Sequence, residues 1–213
     1  MVSSEINRKV SVILAADVVG YSKHMEENEN ETVKSLRHCE TILKNLLKQY
    51  EGNLFNTGGD SFLIEFPSAV GAVQCAVNFQ KEIKINNEKP GVIIPLEFRI
   101  GINSGDVVKQ GKNYLGDGVN IAARLEALSQ KGGVTISKNI YDYVKGKTEL
   151  KYNDLGVQKV KQNQFHAFDI LIDSSHRRKL RSQKSPLAVL VFCTLILTVI
   201  ISAITYLQFY NCL

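Results

Sequence analysis

The chain reads as an α+β fold, a ferredoxin-like βαββαβ sandwich. Three observations predict it. Val10 to Asp17 is a short apolar run, the mark of a buried central strand. A long stretch with apolar residues at helical spacing follows, and then two short strands meet at Thr57-Gly58-Gly59-Asp60, a hairpin signal. A second helix and another alternating strand complete the order strand, helix, hairpin, helix, strand.

Each element has its own signal. The first strand ends at Asp17, and Val18-Val19-Gly20-Tyr21-Ser22 is expected to turn the chain. From Glu31, Val33, Leu36, Ile42, Leu43, Leu46 and Leu47 repeat at helical spacing up to Tyr50, and Gly52 stops the helix. Asn53 to Asn56 and Ser61 to Phe66 form the hairpin strands. Ser68 can cap a helix from Ala69 to about Ile85, and Asn86 to Pro90 is a polar loop. Leu96 to Asn103 alternates as a strand through Phe98, Ile100 and Ile102. A turn at Ser104-Gly105-Asp106 is expected before Val107-Val108 continues the sheet. Gly116 and Gly118 suit a tight loop entry. Val119 to Leu128 then reads as a helix with Ile121, Leu125 and Leu128 facing inward. Gly133 to Ser137 is a strand, Lys138 to Val144 a short helix, and Tyr152 to Val157 with Phe165 to Ile172 close the sheet.

Charge and apolar runs divide the 213 residues into a domain at 1–173, a basic linker at 174–186 and an apolar tail at 187–209. Lys plus Arg is 26 against 21 for Asp plus Glu. Arg177, Arg178, Lys179, Arg181 and Lys184 carry the whole excess, so the body is neutral, which argues against nucleic-acid binding. Leu187 to Tyr206 holds no charged residue and would span roughly 30 Å as a helix, one hydrocarbon core. A single membrane span is expected, with the basic run placing the domain on the cytoplasmic side. The pattern suits a tail anchor or a longer protein cut short. Cys39, Cys75, Cys193 and Cys212 are scattered, which suggests no disulfide framework. The four histidines lack ligand spacing, so a zinc site is not expected.

Two stretches carry chemistry. Asp17 and Asp60 fall at a strand end and in a hairpin turn, where a βαββ arrangement brings both toward one sheet edge. A pair of carboxylates there offers hard oxygen ligands to divalent cations, and neighbouring glycines let backbone N–H groups approach a polyphosphate. Asn120 and Arg124 are four apart and share a helical face, an amide and a guanidinium fork suited to a phosphate.

Taken together, these stretches resemble the catalytic domain of class III nucleotidyl cyclases, over about residues 8 to 170. Ala16-Asp17-Val18-Val19-Gly20-Tyr21-Ser22 is similar to the family's first metal-aspartate motif, and Asn56-Thr57-Gly58-Gly59-Asp60 to the second. Phe98-Arg99-Ile100-Gly101-Ile102-Asn103-Ser104-Gly105 resembles the strand before the dimer-forming loop. Gly116-Asp117-Gly118-Val119-Asn120-Ile121-Ala122-Ala123-Arg124 carries the family's asparagine and arginine. The resemblance is to the bacterial type.

The resemblance implies an adenylate cyclase of the two-metal kind, making cyclic AMP and pyrophosphate from ATP for intracellular signalling. Asp17 and Asp60 would hold two Mg²⁺ or Mn²⁺ ions, with Val18, Val19, Gly20, Tyr21, Ser22 and Gly59 around the phosphates. Arg124 would stabilise the transition state and Asn120 would orient the ribose. Lys161 is the expected phosphate lysine, with Lys159 as the alternative. A homodimer is implied, since the aspartates of one copy meet the Asn/Arg pair of the other. Base choice stays open. The adenylyl type has lysine and aspartate where this chain has Asn56 and Asn113, and neither position holds the glutamate or cysteine of a guanylyl enzyme. An amide donates and accepts, so GTP or both nucleotides remain as alternatives to ATP. Gly58-Gly59-Asp60-Ser61-Phe62 also resembles the hairpin of diguanylate cyclases, but Ser61 stands where that family has an acidic residue. A catalytically silent, membrane-tethered nucleotide-binding or dimerisation module is the remaining reading.

Overall fold

The computed structural model describes residues 8–160, 163–173 and 178. Within them, β1 (Arg8–Val18), α1 (Tyr21–Gln49), β2 (Asn53–Gly58), β3 (Ser61–Phe66), α2 (Ala69–Asn87) and β4 (Phe98–Gln110) form the predicted βαββαβ core. After it come β5 (Asn113–Leu115), α3 (Asp117–Leu128), β6 (Val134–Ser137), α4 (Lys138–Val144), β7 (Lys151–Val160) and β8 (Asn163–Leu171). One sheet runs in the order β2-β3-β1-β4-β6-β8-β7, with β5 paired to β4. The pairing is antiparallel except between β4 and β6. The first four places are the ferredoxin-like order.

The alternation of β1 sorts the two faces. Val12, Leu14, Ala16 and Val18 join the main core with Cys39, Leu43, Leu46 and Leu47 of α1, with α2, and with Ile140 and Val144 of α4. Phe98 sits at its centre, with ring centroids 5.0 Å from Phe79 and 6.1 Å from Phe62. Burying such rings stabilises by about 2–3 kcal/mol each. Ile13 and Ala15 face the other way, toward Ala122 of α3. Asp17 shares that parity, so it lies on the α3 face.

Several sequence expectations shift. No turn spans Tyr21 and Ser22. Helix α1 begins there, entered through Gly20 at φ 69°, and it breaks at Asn28 (φ −160°, ψ 88°). The Asn28 side chain accepts from Glu31 N–H at 3.2 Å, recapping the second segment. The first segment is polar, so apolar spacing could not reveal it. Helix α2 runs on to Asn87 through the start of the expected loop. Ser104-Gly105-Asp106 makes no turn either, because β1 reaches back to Arg8 and pairs every β4 residue from Phe98 to Val108. The short strand β5 escaped the sequence reading. On α3 the fully buried positions are Gly118, Ala122 and Leu125. Ile121 and Leu128 are half-buried, packed against a small cluster with Leu155 and Ala167.

Among the described residues no helix is long and apolar enough to cross a membrane. The expected span at 187–209, nearly all of the linker at 174–186, and Lys161 lie outside the described residues.

Candidate functional site

Asp17 stands at the end of β1, in register with Ser61 of β3 on one side and Arg99 of β4 on the other. Asp60 occupies the two-residue turn before Ser61, beside Gly59 at φ 69°, a conformation that favours glycine. The two aspartates therefore come to the same end of the central strands β1 and β3. Burial pushes the Asp60 carboxyl above its ordinary range. A backbone hydrogen bond at Asp60 pulls it partly back, and the charge of Asp17 raises it further.

Two residues to which the sequence assigned no role, Arg99 and Glu126, complete this corner. Arg99 Nη2 donates to Asp17 Oδ2 at 3.0 Å. Its Nε lies 3.0 Å from Glu126 Oε1, on α3. Burial drives the Glu126 carboxyl up to about 7, against the pull of Arg99 and with further push from Asp17 and Asp60. One guanidinium thus serves a corner that holds three carboxylates. No local signal marks the pair: β4 also carries Asp106 and Lys109, and Glu126 sits on a different element.

Helix α3 lies directly on β4 because glycines let it. A Cβ on Gly101 would fall 2.1 Å from Glu126 N and 2.3 Å from Ala122 O. Gly105 and Gly118 make the same close approach further along, and Asn103 Nδ2 pins Gly118 O at 3.1 Å. This contact places Asn120 and Arg124. Asn120 is exposed. Arg124 is half-buried, and its Nη1 is a buried donor with no hydrogen-bond partner, an arrangement that fits an anionic acceptor. Among the described residues, neither makes a hydrogen bond or ion pair with Asp17 or Asp60.

The segment Val18-Val19-Gly20-Tyr21-Ser22 joins β1 to α1. Val19 N–H donates to Glu97 O at 2.8 Å, and no side chain caps the helix. Its first-turn N–H groups can take an outside acceptor. Asn56 on β2 and Asn113 on β5 come together, with Asn56 Nδ2 3.5 Å from Asn113 Oδ1. They are 57 residues apart in sequence, and only the sheet brings their amides together. Lys159, the alternative phosphate lysine, is exposed near the end of β7.

The donor set suits a hard cation only in part by itself. Among the described residues no three His, Cys, Asp or Glu side chains gather as metal ligands. Two carboxylates match Mg²⁺, which keeps waters and takes substrate phosphates for its remaining positions. The mutual charge of Asp17 and Asp60 is what such an ion would relieve.

Known proteins resemble this chain in fold and sequence. A structure of an adenylate/guanylate cyclase/hydrolase from Silicibacter pomeroyi superposes with a TM-score of 0.73 at 32% identity, over 79% of this chain and 100% of that one. The adenylyl cyclase CyaB from P. aeruginosa gives 0.71 at 27% identity, over 83% and 99%. "Putative adenylate cyclase 3" of Rhizobium meliloti (strain 1021) is 40% identical over 162 residues, 76% of this chain but 28% of that longer protein. Residues 2–170 match the profile of the adenylate and guanylate cyclase catalytic domain, and the chain belongs to that family.

Proposed function

We propose that this domain is an adenylate cyclase, converting ATP to 3′,5′-cyclic AMP and pyrophosphate at sites shared by two copies of the chain. The observation that carries the reading is the meeting of Asp17 and Asp60 beside an α1 N-terminus that no side chain caps. Family membership and the relatives described as adenylate cyclases support it. When bound at Asp17 and Asp60, two Mg²⁺ or Mn²⁺ ions would lower the pKa of the ribose 3′-hydroxyl and neutralise the β- and γ-phosphates.

The chain's own groups do the rest. The first-turn amides of α1 and the Gly20 loop receive phosphate oxygens. Arg124, with its unpartnered Nη1, meets charge developing on the α-phosphate as the 3′-oxygen attacks in line and pyrophosphate leaves. Asn120 holds the ribose in position. Because neither residue touches the aspartates of its own chain, a second copy is the natural source of the complementary half. Asn56 and Asn113 face the base, and Lys161 or Lys159 reaches the phosphates. Membrane attachment through 187–209, with the domain on the cytoplasmic side, rests on hydropathy and the basic run alone.

A second reading, guanylate or dual specificity, is favoured by the amide pair, since either amide can donate or accept. Incubation of the full chain with Mn²⁺ and ATP or GTP, with the products resolved, tests both. Cyclic AMP is expected. Cyclic GMP alone would replace the first reading with the second, and no product from a folded dimer overturns both.

A further inference from the structure

Arg99 makes two unequal contacts. Its bond to Asp17 is aligned and 3.0 Å long. Its approach to Glu126 is equally short, yet Arg99 Nε and Glu126 Oε1 are both buried atoms that lack an aligned hydrogen bond. The side chain of Glu126 is only 13% exposed, against 27% for Asp17 and 31% for Arg99. A buried carboxylate left with a poor partner is costly, and an aligned charge-assisted bond relieves most of that cost. The guanidinium therefore gives its good hydrogen bond to the more solvated acid and leaves the drier one underserved. A modest rotation about the Arg99 side chain would reverse this. Asp17 Oδ2 is the atom that restrains it.

We propose that Arg99 is a built-in counter-ion that occupies Asp17 until a divalent cation takes its place, and that Glu126 is the carboxylate that receives the released guanidinium. This rests on the reading of Asp17 and Asp60 as metal ligands. Arg99 and Glu126 are positioning residues and need touch neither nucleotide nor metal. The arrangement keeps the acidic corner neutralised without an ion, and it makes metal affinity depend on a residue of α3, the helix that also carries Asn120 and Arg124. Loading of the aspartates and the setting of that helix are thereby linked through one side chain.

The test is Mn²⁺ binding to the full 213-residue chain, followed by electron paramagnetic resonance and calorimetry without nucleotide. Arg99→Gln removes the competitor and should tighten Mn²⁺ binding by about tenfold. Glu126→Gln removes the receiver, holds Arg99 on Asp17, and should weaken binding by about as much. The double variant decides the matter. If the guanidinium truly moves between the acids, Glu126 has nothing to receive once Arg99 is gone, so the double variant should bind as tightly as Arg99→Gln. If the two residues act only as fixed charges, their effects add and the double variant returns to the wild-type affinity, which overturns the proposal. Loss of binding in both single variants, with melting curves unchanged, also overturns it. Asp17→Asn separates the two levels of the argument. If it leaves Mn²⁺ binding intact, the metal-ligand reading itself fails; if it abolishes binding while the double variant behaves additively, only the counter-ion role fails.

Discussion

Replacing Gly101 by alanine puts one methyl group where α3 crosses β4. The added carbon would sit 2.1 Å from Glu126 N, 2.3 Å from Ala122 O and 2.7 Å from Leu125 C. These are backbone atoms of a helix, so no side-chain rotation can clear them. Restoring an ordinary 3.4 Å separation needs a displacement of about 1.3 Å, by the whole helix or by the strand. Overpacking of this kind costs about 1–3 kcal/mol, and contact with three backbone atoms places Gly101→Ala toward the upper end. For a domain of this size that lowers Tm by about 5–10 °C. The functional effect should be larger than the thermal one. Asn120, Arg124 and Glu126 all ride on α3, and an error near 1 Å in a reacting group costs about a hundredfold in turnover. The assay pairs thermal unfolding with cyclase activity measured well below Tm. Gly91→Ala is the contrast, with φ 91° but open space around the new carbon. It should show backbone strain of about 1 kcal/mol and activity near wild type. A Gly101→Ala protein that melts with wild type and keeps its turnover refutes the close packing of α3 on β4.

Four further outcomes are expected. Asp17→Ala and Arg124→Ala proteins should each be inactive, and their mixture should regain part of the activity through one intact shared site. Heterodimers without recovery would break the two-copy geometry. Asn56→Lys with Asn113→Asp should raise the ATP-to-GTP preference in kcat/KM by about tenfold, since both amides then become fixed in hydrogen-bonding sense; an unchanged ratio would show that the pair does not read the base. The Glu126 carboxyl, raised from 4.5 to about 7, favours the folded state fully below the unfolded value and loses that contribution as pH rises through about 7. Wild type should therefore shed roughly 1–3 kcal/mol between these limits that Glu126→Gln does not, as read from denaturant melts across that range. Arg178→Met strips the fork that meets both oxygens of Asp169, at 2.6 and 2.8 Å, from a residue that is 4% exposed. Stability should drop by about 3–5 kcal/mol, and adding Asp169→Asn should restore part of it.

The order of the elements was legible because strands and helices write different apolar periods, and that order pointed to the βαββαβ core. Asp17, Asp60, Asn120 and Arg124 were legible as residue types at turns and on one helix face, since those positions are local. Besides β5 and the meeting of Asn56 with Asn113, three things were not. The first segment of α1 has no apolar stripe, so its helical state shows only where Gly20 and Asn28 frame it. The continuity of β4 through Gly105 depends on a partner strand that local turn propensity cannot foresee. And the corner formed by Asp17, Arg99 and Glu126 joins residues from three elements, so no spacing along the chain announces it.

Local sequence determined which groups this protein carries and on which elements, because period, capping and turn chemistry act over a few residues. Only the tertiary structure decided which groups share a charge environment. Sheet register set Asp17 against Arg99, and three glycines let α3 bring Glu126 down beside them. Those are distances across the fold, and distance with burial is what sets electrostatic energy.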